Sequence, residues 1–291
     1  MSPLNSPGRV LDCAGRGLSL DRPLVMGVIN TTPDSFSDGG CWTDRDKALR
    51  HAVQMAAAGA DIIDVGGEST RPGAAPVTPR QEMDRVVGLI ESIVAETDVL
   101  VSIDTSKPEV MNAAVGAGAG MINDVCALRR EGALEMAARL AVPVCLMHMQ
   151  GEPRDMQADP TYQDVVQEVL DFLVGRAQAC QAAGIPAENI VIDPGFGFGK
   201  TLEHNLALFR ALPRFVEAGY PVLVGLSRKS MLGSLTGQPV DKRLLASVTA
   251  ALMAARAGVA MVRVHDVAET VEALRLADAL SSGQTAAGYR S

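Results

Sequence analysis

Short apolar runs alternate with amphipathic stretches along the chain. Eight runs have strand length and are mostly continuously apolar, which is typical of strands buried on both faces in a parallel sheet. Between them, stretches such as 44–59, 79–96, 164–184 and 241–258 have helical character, and several end in glycine, a common helix stop. The eight runs are LVMGVIN (24–30), DIIDVGG (61–67), LVSIDT (100–105), MINDV (121–125), PVCLMHM (143–149), IVIDPGF (190–196), PVLVGLS (221–227) and MVRVHDV (261–267).

Eight strand-then-helix units are the number that closes a barrel, so the pattern predicts a single-domain α/β protein, a TIM-type (β/α)8 barrel. An open, doubly wound sheet is the alternative that the same alternation allows. The opening RVLDCAGRGLSLDRP (9–23) is short and broken by glycines, and we expect a hairpin that closes the barrel bottom. The predicted division is an N-terminal extension (1–22), the barrel (23–280) and a loose C-terminal tail (281–291).

Composition narrows the function classes. The chain has 291 residues, 47% of them hydrophobic, and a formal net charge of −8. A nucleic-acid-binding protein normally shows a basic face, so no nucleic-acid partner is expected. Any anionic ligand must be held by local cations, a metal or helix N-termini rather than by the field of the whole chain.

Cysteine usage and hydropathy indicate the compartment. The count of five cysteines is odd, and none forms a C-x-x-C pair, which favours reduced thiols in a cytosol. The N-terminus lacks the apolar core of a signal peptide, and no run approaches the ~20 apolar residues of a membrane span. We therefore expect a soluble, cytoplasmic protein without a membrane partner.

The glycine-rich stretch IVIDPGFGFGKT (190–201) raises the question of a nucleotide-phosphate loop. A Walker A loop requires G-x-x-x-x-G-K-[ST], and Gly199, Lys200 and Thr201 fit its end. The first glycine would fall on Pro194, which has no N–H to donate to a phosphate. The dinucleotide spacing G-x-G-x-x-G also fails, so we expect Lys200 and Thr201 to begin the next helix.

Nearly every apolar run finishes in polar or small residues. In a barrel these strand ends converge on one face, where barrel enzymes keep their active sites. A single Asp or Asn at such a place is as readily explained by helix capping, but the recurrence is harder to dismiss. The residues are Asn30, Gly66, Gly67, Glu68, Asp104, Asn123, Asp124, His148, Asp193, Ser227, Arg228, Lys229, Arg263, His265 and Asp266.

The converging side chains favour binding of a flat heterocycle. The sequence contains neither H-E-x-x-H nor a G-x-S-x-G elbow, and its four histidines are scattered, which argues against zinc and serine-hydrolase chemistry. Asp104, Asn123 and Asp193 are planar groups that can match the N–H and amino edges of a ring such as a pterin. A cationic set, Arg71, Lys229, Arg263 and His265, suits phosphate or carboxylate.

Eight sequence blocks, in order, resemble the dihydropteroate synthase family of pterin-binding enzymes. The similarity extends from about residue 9 to about residue 280, and each block is specific. The blocks are MGVINTTPDSFSDGG (26–40), DIIDVGGESTRPGA (61–74), SIDTSKPEV (102–110), INDV (122–125), LMHMQG (146–151), IDPGFGFGK (192–200), GLSRKSM (225–231) and VRVHDV (262–267).

The resemblance implies a transferase that condenses 6-hydroxymethyl-7,8-dihydropterin pyrophosphate with p-aminobenzoate, giving 7,8-dihydropteroate and pyrophosphate in folate synthesis. It also implies Mg²⁺, a homodimer formed through outer helices late in the barrel, and binding of sulfonamides. An aryl amine is neutral at pH 7 and needs no strong base, while the ring can stabilise a methylene cation. We therefore expect an SN1-like step in which Asp104 or Asp193 stays ionised.

The resemblance also assigns roles to individual residues. The pterin set is Asp104, Asn123, Met147, Asp193 and Lys229, and the catalytic set is Asp104, Asp193, Lys229, Arg263 and His265. The pyrophosphate set is Asn30, Thr70, Arg263 and His265, with Asn30 as the Mg²⁺ ligand. The p-aminobenzoate pocket is Phe36, Arg71, Pro72, Phe198, Lys229 and Ser230.

Two alternatives remain open at this stage. Corrinoid methyltransferase-like barrels that use methyltetrahydrofolate share the Asp–Asn–Asp set but have no need of NTTPDSFSDGG, STRPG and SRKSM together. A non-catalytic homologue is the other. Among single residues, we expect Asp64 and Glu68 to support nearby loops and Cys126 and Cys145 to pack. We expect His148 to be a core residue and residues 31–40 to form a mobile lid in which Ser35 and Phe36 cap the substrates.

Overall fold

The computed structural model describes residues 8–31, 44–69, 76–151 and 156–282. Within these ranges eight parallel strands form a ring whose neighbours follow chain order. The eighth strand of the ring pairs with both the first and the seventh. One parallel bridge between Ile192 and Val222 joins the sixth strand to the seventh and closes the ring. The strands are β3 (Leu24–Asn30), β4 (Ile62–Gly66), β5 (Leu100–Asp104), β6 (Met121–Asp124), β7 (Val144–Met147), β8 (Ile190–Asp193), β9 (Leu223–Val224) and β10 (Met261–Val264).

The predicted TIM-type barrel is thus confirmed, and the open doubly wound sheet is not found. Helices follow the strands, as the amphipathic stretches predicted. They are α1 (Asp44–Ala57), α2 (Pro79–Glu96), α3 (Pro108–Gly116), α4 (Ala133–Leu140), α5 (Val165–Ala182), α6 (Leu202–Arg210), α7 (Leu212–Glu217), α8 (Ser230–Thr236), α9 (Leu244–Arg256) and α10 (Val267–Ser282). No helix in the described ranges is long and apolar enough to cross a membrane.

Local sequence explains where several helices begin. The side chains of Thr78, Asp164 and Thr201 accept hydrogen bonds from backbone N–H groups of the first turns of α2, α5 and α6. These side chains satisfy donors that have no partner within the helix. Thr201 therefore begins α6, as predicted.

The N-terminal hairpin closes the bottom of the barrel. Strands β1 (Val10–Cys13) and β2 (Arg16–Ser19) pair antiparallel around a turn at Ala14 and Gly15, both with positive φ, which suits a two-residue hairpin. Leu11 and Cys13 are buried in one apolar cluster with residues from the beginnings of the barrel strands. The predicted hairpin and its position are confirmed. The boundaries at residues 22, 23, 280 and 281 stay a prediction, because residues 1–7 and 283–291 lie outside the described ones.

Alternation along the barrel strands sets the position of the site. Side chains two residues apart share a face of a strand. Inward positions near the strand starts are apolar and pack with the hairpin, whereas the next inward positions are polar. On β4, β5, β6 and β8 these series read Ile62–Asp64–Gly66, Leu100–Ser102–Asp104, Met121–Asn123 and Val191–Asp193. The side chains that fill the barrel interior therefore change from apolar to polar toward the carboxyl ends of the strands.

Candidate active site at the carboxyl end of the barrel

Arg263 on β10 lies at the centre of the polar end of the barrel. Its Nε donates to Asp64 Oδ2 at 2.7 Å, and its Nη2 donates to Asp104 Oδ2 at 2.8 Å. Asn123 Nδ2 donates to the same Asp64 oxygen at 3.0 Å. Side chains from four strands thus form one hydrogen-bonded network, and the predicted residues Asp104, Asn123 and Arg263 are brought together.

Charge and burial oppose each other in this network. Burial raises the pKa of Asp104 to about 7, against the lowering effect of Arg263. Burial alone would lower the pKa of Arg263, but Asp64 and Asp104 outweigh it and raise the pKa above its ordinary value. The guanidinium therefore stays charged, whereas Asp104 lies close to its titration point near neutral pH.

Asp193 and Lys229 lie near each other at the same polar end of the barrel. Burial raises the pKa of Asp193 to about 6, although the Gly195 N–H, which donates to its Oδ1 at 2.7 Å, and Lys229 both lower it. Burial and Arg263 lower the pKa of Lys229 to about 8. The Lys229 ammonium lies 4.1 Å from the centre of the Phe198 ring, a cation–π contact. Asp193, Phe198 and Lys229, which come from two of the sequence blocks, therefore lie near one another.

Apolar residues line one side of the same space. Met147, at the end of β7, is buried in a small cluster with Cys126, Met149 and Met156, and Phe198 packs against it. Thioether and aromatic surfaces suit the face of a flat ring. Asp193 pairs in register with Met147, so the carboxylate and the apolar surface come from neighbouring strands.

The glycine loop after β8 is fastened by a lysine that the sequence reading placed only at a helix start. The buried Lys200 Nζ donates to the carbonyl oxygens of Gly195 and Phe198, each at 2.9 Å, and lies 3.0 Å from His148 Nδ1. An extra Cβ on Gly195, whose φ is +69°, would lie 1.9 Å from the His148 carbonyl oxygen. The loop therefore bends against β7 where only glycine fits, and Lys200 fixes the backbone of Phe198.

His148 is a buried core residue, as expected. Its ring meets Phe172 edge-on at 4.9 Å between centroids. Burial and the Lys200 charge lower the pKa of His148 to about 3, so the ring is neutral and can accept from Lys200. Cys126 and Cys145 are likewise buried and pack, as do Cys13 and Cys180.

His265 is held by a serine. Ser227 Oγ lies 3.0 Å from His265 Nδ1 and accepts from the His265 backbone N–H at 3.2 Å. Burial and the charges of Arg228 and Arg263 lower the pKa of His265 to about 4. A neutral imidazole whose Nδ1 is engaged by Ser227 leaves Nε2 for a ligand. Ser227 had been noted only as a strand-end residue.

The turn that carries Lys229 has a left-handed residue at Arg228, with φ of 59°. The Arg228 N–H donates to Ser247 Oγ at 2.9 Å, and its carbonyl accepts from Arg243 at 3.0 Å. Partners on both sides stabilise a conformation that costs free energy for a non-glycine residue. Ser230, directly after Lys229, is exposed at the first residue of α8.

A gap between Asn30 and Asp104 lies over Gly66. A Cβ at Gly66 would be 3.5 Å from Asn30 Oδ1 and 3.5 Å from Asp104 Cβ, so any side chain there would fill the space. The described ranges contain no group of three or more His, Cys, Asp or Glu residues that could hold a metal. The amide oxygen of Asn30 lies beside this gap and could serve as a single protein ligand of Mg²⁺, an ion that commonly takes its other ligands from phosphate and water.

The two loops that the resemblance assigns to substrate binding lie partly outside the described residues. The residues with predicted roles that fall there are Ser35 and Phe36 in the first loop and Thr70, Arg71 and Pro72 in the second. The base of the second loop is described. Glu68 accepts from the Val77 N–H at 3.0 Å and from Lys107 Nζ at 2.7 Å, so it ties the two ends of the loop together.

The expectation that Glu68 and Asp64 both support nearby loops is confirmed for Glu68 and wrong for Asp64. Asp64 occupies the inward position between Ile62 and Gly66, and its partners Asn123 and Arg263 lie across the barrel interior. The alternation of side chains along β4 could have identified this position of Asp64 from the sequence. Residues two apart share a face, so Asp64 lies on the inward face with Gly66 and not toward the loop.

Taken as a whole, the fold and the site define a barrel enzyme that binds a flat, hydrogen-bonding ring beside an anionic group. The sequence pattern of the pterin binding enzyme family matches residues 26–265. A dihydropteroate synthase of Haemophilus influenzae is 50% identical over 259 residues, which cover 89% of this chain and 94% of that protein. The chain belongs to the dihydropteroate synthase family of pterin-binding enzymes.

Solved structures give the same result. A dihydropteroate synthase of Xanthomonas albilineans with 4-aminobenzoic acid is 54% identical, with a TM-score of 0.90 over 94% of this chain and 98% of that chain. The structure from the same organism in complex with 7,8-dihydropteroate is 51% identical, with a TM-score of 0.87, and covers 94% of this chain and 99% of that one. The fold and family expected from the sequence blocks are therefore confirmed.

Proposed function

We propose that this site condenses 6-hydroxymethyl-7,8-dihydropterin pyrophosphate with p-aminobenzoate to form 7,8-dihydropteroate and pyrophosphate. The observation that carries the proposal is the convergence of Asp104, Asn123 and Asp193 with Arg263 and Lys229 at the carboxyl end of the barrel. The relatives named above, which include a structure with 4-aminobenzoic acid and one with 7,8-dihydropteroate, support it. The chain would then be a transferase of an alkyl group, the pterin methylene.

The pterin would be read by its edges and covered on one face. Asp193 and Asp104 would accept hydrogen bonds from ring N–H and amino groups, and Asn123 would supply both a donor and an acceptor. Lys229 would donate to a ring acceptor, and Met147 would pack on the ring. The depth of Asp193 and Asn123 in the barrel, both nearly inaccessible to solvent, strengthens each of these hydrogen bonds.

The pyrophosphate would lie at the rim. Arg263 and His265 would bind its oxygens, with Thr70 as a further donor, and Asn30 would hold Mg²⁺ through its amide oxygen. Held there, Mg²⁺ would supply positive charge to offset the charge that grows on the leaving group. Arg263 supplies a second positive charge from the protein itself, since its two carboxylate partners keep it protonated.

The second substrate would enter above the pterin. Phe198 would offer its ring to p-aminobenzoate, and Lys229, which already lies over that ring, would attract the carboxylate or stabilise the ring edge. Ser230 is exposed beside Lys229 and can donate to the carboxylate. Phe36, Arg71 and Pro72 complete the proposed pocket from the two loops.

We infer a dissociative, SN1-like reaction order. The bond between the methylene carbon and the bridging oxygen breaks first, and its electron pair leaves with pyrophosphate. The ring stabilises the methylene cation, with Asp104 or Asp193 ionised nearby. The amine nitrogen then attacks the carbon and loses a proton. Secondary isotope effects on the methylene hydrogens well above unity are expected, and values near unity would contradict this order.

The first experiment measures pyrophosphate release from the pterin pyrophosphate with Mg²⁺, with and without p-aminobenzoate. Wild type should release pyrophosphate in an amine-dependent way and form dihydropteroate, and Asp193→Asn should lose both activities because it presents an amide instead of a carboxylate. Absence of turnover together with tight pterin binding in calorimetry would favour the methyltransferase-like or non-catalytic alternative.

The proposal extends to assembly and compartment. Helices α9 and α10 pack together and expose large apolar side chains, which supports a homodimer through this face. Four buried free thiols in the described ranges suit a reducing compartment, and we propose that the enzyme works in the cytoplasm.

A further inference from the structure

Asp64 is a buried charged residue at the centre of the barrel to which the proposed chemistry assigns no task. Its side chain is fully inaccessible to solvent. One oxygen, Oδ2, accepts from both Asn123 Nδ2 and Arg263 Nε, while Oδ1 has no hydrogen-bond partner in the described structure. Burying a carboxylate with one oxygen unsatisfied costs free energy of folding, so stability does not explain its presence.

The contact with Asn123 determines what that amide can offer to a ligand. A carboxamide has an acceptor end and a donor end of nearly equal shape, and its hydrogen-bond network decides between the two orientations. Asp64 can only accept, so it holds the Nδ2 end and directs Oδ1 away from itself. A flipped amide would place two acceptor oxygens against each other and would present its N–H groups where a ring donor should meet an oxygen.

The contact with Asp64 uses only one of the N–H groups of the Arg263 guanidinium. Asp64 takes Nε, whereas Asp104 takes Nη2. When a ligand donor engages Asp104, the Asp64 contact would still hold the arginine in place. Gly66 and Asp104 pair in register at the rim of the barrel. Asp64 lies one inward position deeper than this pair, so a ligand at the rim would not displace it from Arg263.

We propose that Asp64 is a positioning residue of the reaction: it fixes the amide orientation of Asn123 for the pterin edge and anchors Arg263 by Nε for the leaving group. The inference rests on the proposed pterin-binding function of the same site. Asp64 acts through Asn123 and Arg263 and touches neither substrate.

The test compares three variants. Asp64→Ala removes the acceptor, Asp64→Asn keeps the volume and one acceptor oxygen, and Ser102→Ala is the matched control. Ser102 is the register partner of Asp64 on β5, is equally buried, and its hydroxyl has no hydrogen-bond partner in the described structure. Binding of 6-hydroxymethyl-7,8-dihydropterin is measured by calorimetry, and KM for p-aminobenzoate is measured kinetically.

We expect Asp64→Ala to weaken pterin binding by about tenfold or more, as for loss of a buried hydrogen-bonded orientation. Asp64→Asn should restore binding to within about threefold of wild type, because an amide oxygen can still accept from Asn123. Ser102→Ala should bind like wild type, and KM for p-aminobenzoate should stay within about twofold in all variants that fold.

A double-mutant cycle isolates the coupling. In the Asn123→Ala background, Asp64→Ala should weaken pterin binding by no more than about twofold, since the group that it positions is already absent. Equal losses in both backgrounds, or wild-type binding by a folded Asp64→Ala, would overturn the inference. If Asp64→Ala does not fold, failure of a folded Asp64→Asn to retain pterin affinity would overturn it. Failure of wild type itself to bind the pterin would instead contradict the proposed function.

Discussion

At the scale of single residues, the site holds its charges close to their titration points. Asp193 and Lys229 influence each other electrostatically, and burial is the main cause that moves their pKa values toward neutrality, to about 6 and about 8. When a group binds the substrate in only one protonation state, its pKa in the free enzyme determines where kcat/KM changes with pH. The pH dependence of catalysis should therefore reveal both residues.

We predict a bell-shaped profile of kcat/KM for the pterin substrate. Asp104 gains a proton below pH about 7 and Asp193 below pH about 6, and each then stops accepting, while above pH about 8 Lys229 loses its charge, so kcat/KM should fall on both sides. Lys229→Arg should keep the acid limb and move the alkaline limb beyond the measurable range, because arginine stays charged. An unchanged alkaline limb in Lys229→Arg would assign that limb to another group.

The strand-end pattern predicted residues that the structure brings together, but it did not predict their contacts. Asp104, Asn123, Asp193, Lys229 and Arg263 were identified because each ends a buried strand, and strand ends converge in a barrel. The sequence analysis did not foresee the contacts of two residues, one that lies deeper in the barrel and one that turns back onto its own loop. Asp64 faces the interior, as its distance of two residues from Gly66 on the same strand indicates, whereas Lys200 folds back onto its own loop, a direction that spacing does not give.

At the scale of elements, the loop after β8 depends on backbone conformations that only glycine adopts easily. Gly195 has φ of +69° and lies directly against the His148 carbonyl. This contact places the loop that carries Phe198 and allows Lys200 to reach its carbonyls. The G-x-G-x-G spacing is thus explained by close packing, not by phosphate binding.

Gly195→Ala should lower the free energy of unfolding by about 2 kcal/mol or more, because a left-handed alanine and a backbone clash add up. Pterin binding should fall as well, since Asp193 accepts from the Gly195 N–H. Gly175→Ala is the control: Gly175 is exposed on α5 with open space around it, and alanine there should gain about 0.5–1 kcal/mol. Equal stability of both variants in urea titrations would contradict the packing argument.

The hairpin is an element whose contribution should be separable from catalysis. Leu11 is fully buried among the starts of the barrel strands, whereas Val10 on the same strand is 46% exposed. Leu11→Ala should cost about 2–5 kcal/mol of unfolding free energy, and Val10→Ala should stay within about 0.5 kcal/mol.

Both hairpin variants should retain the wild-type kcat at a temperature where they are folded, because the hairpin closes the end of the barrel opposite the site. Denaturant unfolding and steady-state assays on the same preparations provide the measurement. A selective loss of kcat in a fully folded Leu11→Ala would show that the two ends of the barrel are coupled.

At the scale of the whole molecule, one outer face is unusually apolar. Leu245 on α9 and Leu280 on α10 are 79% and 77% exposed, and Met253 and Leu276 add to the same helices. Exposed large apolar side chains on two helices that pack against each other are typical of protein–protein interfaces. This is the observation behind the proposed homodimer.

A Leu245→Asp, Leu280→Asp double variant should sediment as a monomer, while wild type should sediment as a dimer, because the charges would have to be buried without partners. Val94→Asp is the matched control: Val94 is 43% exposed on α2, which packs against α1 and α3 rather than α9 and α10. Sedimentation of wild type as a monomer at micromolar concentration would contradict the proposed assembly.

The sequence by itself determined the number of strand–helix units, the hairpin and the polar strand ends, because each is a local property of hydrophobic periodicity and turn residues. Only the tertiary structure decided that Arg263 joins Asp64, 199 residues away, and Asp104, 159 residues away. Such contacts depend on ring closure and on side-chain direction inside the barrel. The same closure makes Asp64 a partner of the pterin-reading amide, and no local pattern contains that information.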